Sequence, residues 1–195
     1  VSNINDLNLS DDPIPAVDLD NLPPEGFESP QPGTYVITLP TKMDCWEKLA
    51  TDQGQRVRAN FKKTEAGDFR LKYKGAASEG LLSLSLSNVQ FGKRPSKLAY
   101  LAAALGYKGE FTTNREIVDA ISAAAGKSFI ANITYSASNK NTGQKWATRG
   151  YTNKQTGKVT KPIPHDANGK SMMEFVDDGT LLRCWPDLES FKPAQ

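Results

Sequence analysis

RVRANFKK (Arg56–Lys63), TEAGD (Thr64–Asp68) and FRLKYK (Phe69–Lys74) decide how this chain folds. Both outer runs alternate between apolar and cationic or polar side chains. A strand repeats every two residues, so Val57, Ala59 and Phe61 share one face while Arg56, Arg58, Asn60 and Lys62 share the other. In the second run Phe69, Leu71 and Tyr73 oppose Arg70, Lys72 and Lys74 in the same way. TEAGD offers a turn, with Gly67 available for a positive φ. The pattern predicts a β-hairpin whose two cationic faces merge into one patch, with Phe61, Phe69 and Tyr73 toward a core.

The same period extends outward. TYVITLP predicts a strand over Thr34–Leu39, closed by Pro40. Leu82, Leu84 and Leu86 alternate with Ser83, Ser85 and Ser87, which is another strand. Asp44–Leu49, carrying Cys45 and Trp46, is ambiguous. Helical signals are confined to the middle of the chain. Ser96 can cap KLAYLAAAL and Gly106 can end it. Thr113 or Asn114 can cap REIVDAISAAA, and Glu116 stands where a capping box from Thr113 needs it. Ile117, Ile121, Ala124 and Ala125 give that helix an apolar face. SFIANITYS (Ser128–Ser136) returns to strand, with Phe129, Ala131, Ile133 and Tyr135 on one side. Leu181–Trp185 is expected as a last strand, stopped by Pro186. The fold class expected is mainly β with a helical insertion (α+β), arranged as an OB-type Greek-key barrel of about five or six strands. A β-sandwich is the alternative.

Charge divides the chain. Its net charge is only +2, yet residues 1–34 hold seven acids (Asp6, Asp11, Asp12, Asp18, Asp20, Glu25, Glu28) and no Lys or Arg. Residues 35–195 therefore carry 24 basic against 15 acidic residues. Residues 1–32 also contain six prolines and no apolar periodicity, which reads as a flexible acidic arm. Residues 33–195 are expected to form one domain, long enough to bury a core without disulfide staples. Two distant cysteines, Cys45 and Cys184, suit a reduced, cytoplasmic protein better than a secreted scaffold, a single bridge between them being the minority reading. No apolar run approaches the ~20 residues that span a bilayer, and no signal peptide is visible.

Catalytic chemistry has little support. The single histidine, His165, sits in PIPHD and reads as a loop residue. One His and two distant Cys do not make a zinc site. There is no GxxxxGK[ST] loop and no GxGxxG turn. Asp177 and Asp178 precede Gly179 and read as turn residues. The expectation is a protein without enzymatic activity, metal or cofactor.

Three features point to nucleic acid. The first is the hairpin, where Arg56, Arg58, Lys62, Arg70, Lys72 and Lys74 offer the repeated cations that phosphates require. A solvated face is the bland alternative, but surfaces normally mix signs. The second is Lys127–Lys161, 35 residues with seven cations and no acid. Tyr135, Trp146 and Tyr151 are interleaved with Lys140, Lys145, Arg149 and Lys154, the mixture of cations and ring faces on which single-stranded bases stack. The third is FGKRPSK, with Phe91, Lys93, Arg94 and Lys97 ahead of the first helix, where cations oppose the helix dipole.

The strand–hairpin–strand–helices–strand order, the basic hairpin and GKSFIANITYS…TGQKW together resemble the OB-fold single-stranded DNA-binding proteins of bacteriophages. The resemblance covers residues 33–155 in layout and texture, with no invariant signature. It implies a noncatalytic protein that coats single strands during replication or recombination, without sequence preference, and that contacts replication or recombination enzymes. One departure stands out. The acidic segment lies at the N-terminus, whereas many single-strand binders carry theirs at the C-terminus. The sequence does not tell DNA from RNA, and it leaves homo-oligomerisation open. The alternative function is a viral structural or assembly protein whose Pro-rich arm docks on neighbouring subunits.

Overall fold

Alternating apolar positions become strands along most of the chain. The computed structural model describes residues 29–194. In chain order the elements are β1 (Gly33–Thr38), β2 (Trp46–Thr51), β3 (Gly54–Phe61), β4 (Lys63–Thr64), β5 (Gly67–Asp68), β6 (Leu71–Lys74), β7 (Glu79–Leu82) and β8 (Leu84–Ser87). Helices α1 (Lys97–Ala104) and α2 (Asn114–Ser122) follow. Then come β9 (Ser128–Ser138), β10 (Lys145–Ala147), β11 (Tyr151–Thr152), β12 (Val159–Pro162), β13 (Glu174–Asp177), β14 (Thr180–Arg183) and β15 (Trp185–Pro193).

β9 organises the main sheet, which runs β11-β12-β10-β9-β1-β6-β7. Residues 129–133 of β9 pair with β1 and also with β15, so those two strands flank it. A second sheet runs β2-β3-β8. The extended segment 79–87 serves both sheets: β7 pairs with β6 and β8 pairs with β3. Both apolar faces meet in one core, where Ile37, Phe61, Leu86, Phe129, Ile133 and Leu188 are fully buried. Each such side chain contributes about 1.5–3 kcal/mol relative to exposure. The two helices bridge β8 and β9, and α1 packs on β15. Both start where the sequence places them: Ser96 accepts from the Ala99 N–H, and Thr113 forms a full capping box with Glu116.

Mainly β structure with a helical insertion is therefore correct, and the strand limits fall close to expectation at β1 and β9. Four expectations need correction. The Arg56–Lys74 hairpin pairs only at its tip, as β4 with β5 around Gly67 (φ +150°). Beyond the tip β3 pairs with β2 and β8 while β6 pairs with β1 and β7, so both edges of each strand are already taken. Strand pairing closes no barrel, and strands are more numerous and shorter than five or six. Pro186 does not stop the last strand. β15 continues to Pro193 with Pro186 opposite Tyr135, tolerated because β15 pairs on one side only. Finally, packing begins before Gly33. Pro30 is buried and its carbonyl accepts from the Tyr135 hydroxyl at 2.7 Å, while the Gln31 side chain exchanges hydrogen bonds with the Ser171 backbone. The acidic residues of the arm lie outside the described residues.

Cys45 and Cys184 are both free thiols, buried and unbridged. Burial pushes each thiol up to about 11. A thiolate is the reactive species, so neither should react with an aromatic disulfide reagent at pH 8 in the folded protein. Both should react once it is denatured. Rapid labelling of native protein would show that one of them opens to solvent.

Candidate nucleic-acid interface

Among the described residues β8 is the last strand of its sheet, and β15 lies at the margin of the other, paired only with β9. These two margins do not pair with each other. Between them opens a groove of about 680 Å³, lined from one side by Lys62, Lys63, Arg70 and the β8 serines and from the other by Trp185, Pro186 and Asp187. Ser136 and the first residue of α1, Lys97, complete it together with Phe91.

Of the four cations that line it, Arg70 and Lys97 are each paired with a carboxylate, Asp68 and Asp187. Lys62 and Lys63 are exposed, and among the described residues neither makes an ion pair. The Arg70 guanidinium donates to both Asp68 carboxylate oxygens, at 3.0 and 2.8 Å. Those hydrogen bonds hold the Asp68 carboxyl down at about 2, so the clamp persists across all neutral and mildly acidic pH. Lys97 resolves the cation at the helix start: its ammonium donates to Asp187 at 3.1 Å and to the Leu188 carbonyl at 2.6 Å, pinning α1 to β15.

Two large aromatic rings stand in the open. Phe91 is 77% exposed and Trp185 is 66% exposed, and both line the groove. Phe91 begins a turn through Gly92 (φ +62°) that closes by a bridge to Arg94, and Lys93 and Arg94 in that turn are exposed. A second cleft, of about 630 Å³, shares Ser136 and Asp187 with the groove and carries Arg149, the 60%-exposed Tyr151 and Glu189. The two clefts therefore adjoin.

The structure brings Lys62 and Arg70 into the groove and Arg149 and Tyr151 into the cleft beside it, puts Lys93 and Arg94 in the turn that Phe91 begins, and separates the rest. Arg56 lines another cleft, beside the N-termini of both helices. Arg58 and Asn60 bind the Glu47 carboxylate, whose pKa they lower, Asn60 foremost. Lys72 and Lys74 lie on the outer face of the main sheet, where Lys74 approaches Glu79 at 3.7 Å. The face expected to be free of acids is thus interrupted by Glu47, Asp68 and Glu79, which come from neighbouring strands and a turn that the period-two pattern cannot place. Lys140, Lys145 and Lys154 are exposed but lie outside the groove. Two stacking candidates are core residues. Trp146 is 4% exposed and packs edge-on against Phe175, with ring centroids 5.3 Å apart. Tyr135 is 2% exposed, and burial pushes its hydroxyl pKa up.

Lys63, Trp185 and the serines of β8 were missed from sequence. LSLSLS places all its serines on one face, which was legible. What faces them was not, since Trp185 lies some hundred positions further on. Among the described residues no group of three or more His, Cys, Asp or Glu side chains could hold a metal ion, and no helix is long and apolar enough to cross a membrane. No protein-family model, curated protein or solved structure matches this chain.

Proposed function

We propose that this protein binds single-stranded DNA without sequence preference, by electrostatic capture in the β8–β15 groove followed by base stacking. The observation that carries this reading is the pair of exposed rings, Phe91 and Trp185, standing in one groove with Lys62, Lys63, Arg70 and Lys97. Cations along a groove hold the phosphates while ring faces accept bases of any identity. In this reading the fold is an OB-type barrel left open between β8 and β15, and the opening is the binding surface. The protein would act as the phage single-strand binders do, coating strands in a host cytoplasm during replication or recombination and meeting enzymes of those processes.

A fluorescence titration with poly-dT over a range of salt tests the proposal. Affinity should fall with salt at a log–log slope of roughly −0.7 per phosphate neutralised. Replacing Lys62 and Lys63 with Ala should make that slope shallower by about 1.4, one step of ~0.7 for each lost cation. Absence of saturable binding at low salt would remove the reading. An unchanged slope in the double variant would move the phosphates elsewhere.

A further inference from the structure

Ser83, Ser85 and Ser87 all line the groove. They alternate with Leu82, Leu84 and Leu86, each of which is buried at 6% exposure or less. Ser83 lies between β7 and β8, where the chain passes from one sheet to the other, and the burial alternation of Leu82, Leu84 and Leu86 continues across it. Among the described residues none of the three hydroxyls makes a hydrogen bond within the protein, so three donors in a row face the groove uncommitted. Across the ladder Ser85 stands opposite Asn60 and Ser87 opposite Arg58, and the lysines that follow, Lys62 and Lys63, line the same groove.

The spacing of this row is informative. A strand rises about 3.3 Å per residue, so hydroxyls two residues apart repeat at about 6.6 Å. A peptide repeat contains three backbone bonds and a nucleotide repeat contains six. An extended nucleotide strand therefore advances by about twice the peptide rise, again roughly 6–7 Å. The two repeats are therefore commensurate, one serine to one nucleotide.

We propose that Ser83, Ser85 and Ser87 form a phosphate ladder, along which an extended single strand lies parallel to the β7–β8 axis with its bases turned toward Phe91 and Trp185. This rests on the reading of the groove as a single-strand site and adds to it the path and spacing of the backbone. The hydroxyls contribute donors without charge. They set register along the strand, while Lys62, Lys63 and Arg70 supply the long-range attraction.

Neutral donors and cations leave different signatures, which makes the ladder separable from the groove. Poly-dT is titrated over a salt series against the full chain, the S83A/S85A/S87A variant and the S83T/S85T/S87T variant, with thermal melts of each. The Ala variant should melt like the parent, because the three side chains make no internal bonds. Its affinity should fall roughly five- to tenfold per hydroxyl, with the log–log salt slope unchanged because no counterion release is lost. The Thr variant, which keeps the hydroxyls on residues that favour strands, should bind within a few-fold of the parent. Parent-like binding by the Ala variant overturns the ladder and leaves the groove reading standing. A shallower slope in the Ala variant overturns it too, as does equal weakening by Ala and Thr. Failure of the unmodified chain to bind poly-dT at low salt overturns both proposals together.

Discussion

Trp185→Ala is expected to weaken poly-dT binding by about 1–3 kcal/mol, a factor of roughly five to 150, while the protein melts within a degree or two of the parent. The two halves of this result have separate causes. Trp185 is 66% exposed at the first position of β15, and the residue opposite it in the ladder is Ser136. Its ring supports little of the core, so truncation falls in the class of surface changes worth about 0.5 kcal/mol or less in stability. The same ring offers an unoccupied face to a base. Trp46 is partly buried and Trp146 is buried, so Trp185 is also the tryptophan whose fluorescence should quench on binding. Trp185→Phe should keep most of the affinity and lose most of the quench. Phe91→Ala should cost a similar factor, and the double variant should approach the product of the two if each ring takes its own base. Unaltered affinity in both single variants would remove stacking in this groove.

Trp146→Ala should behave in the opposite way. Its ring is 4% exposed, packs edge-on against Phe175 and has the Lys161 ammonium 5.9 Å from its centroid. Removing a buried indole leaves a cavity, with an expected loss of about 3–5 kcal/mol. For a domain of this size that lowers the melting temperature by roughly 6–20 °C. Phe175 belongs to β13, so the β13–β14 hairpin should loosen first, with faster amide exchange there than in β1 or β9. Well below the melting transition, poly-dT affinity should stay within about twofold of the parent. A stable Trp146→Ala protein that bound poorly would instead put this residue on the binding surface.

These two tryptophans show how far the sequence could be read. Trp146 lies in the acid-free stretch beside polar loops and looks like a surface ring. Trp185 follows a cysteine and precedes a proline, and looks like the end of a strand. Burial reverses both impressions. β10 pairs with β9 and β12, and Phe175 of the β13–β14 hairpin packs on Trp146, whereas among the described residues no strand pairs with β15 on its other side at Trp185. Lone aromatics in short strands carry no local signal of what will be laid over them. The cations show the same limit. Which face Arg58 and Arg70 occupy was legible, but their partners Glu47 and Asp68 were not. Glu47 comes from a neighbouring strand and Asp68 from the turn.

What the sequence determined by itself is local and periodic. Alternation placed β1, β3, β6, β8 and β9, the Ser96 and Thr113 caps placed the helices, and residue counts separated an acidic N-terminal segment from a basic remainder. These follow from backbone geometry and near-neighbour hydrogen bonds, which act within a few residues. The tertiary structure decided everything that depends on which strands lie side by side. It sent the halves of the RVRANFKK…FRLKYK run into different sheets, where both edges of β3 and of β6 are taken by other strands. It also left β8 and β15 unpaired with each other, and so created the groove where Lys62, Phe91 and Trp185, far apart in the chain, come to line one surface.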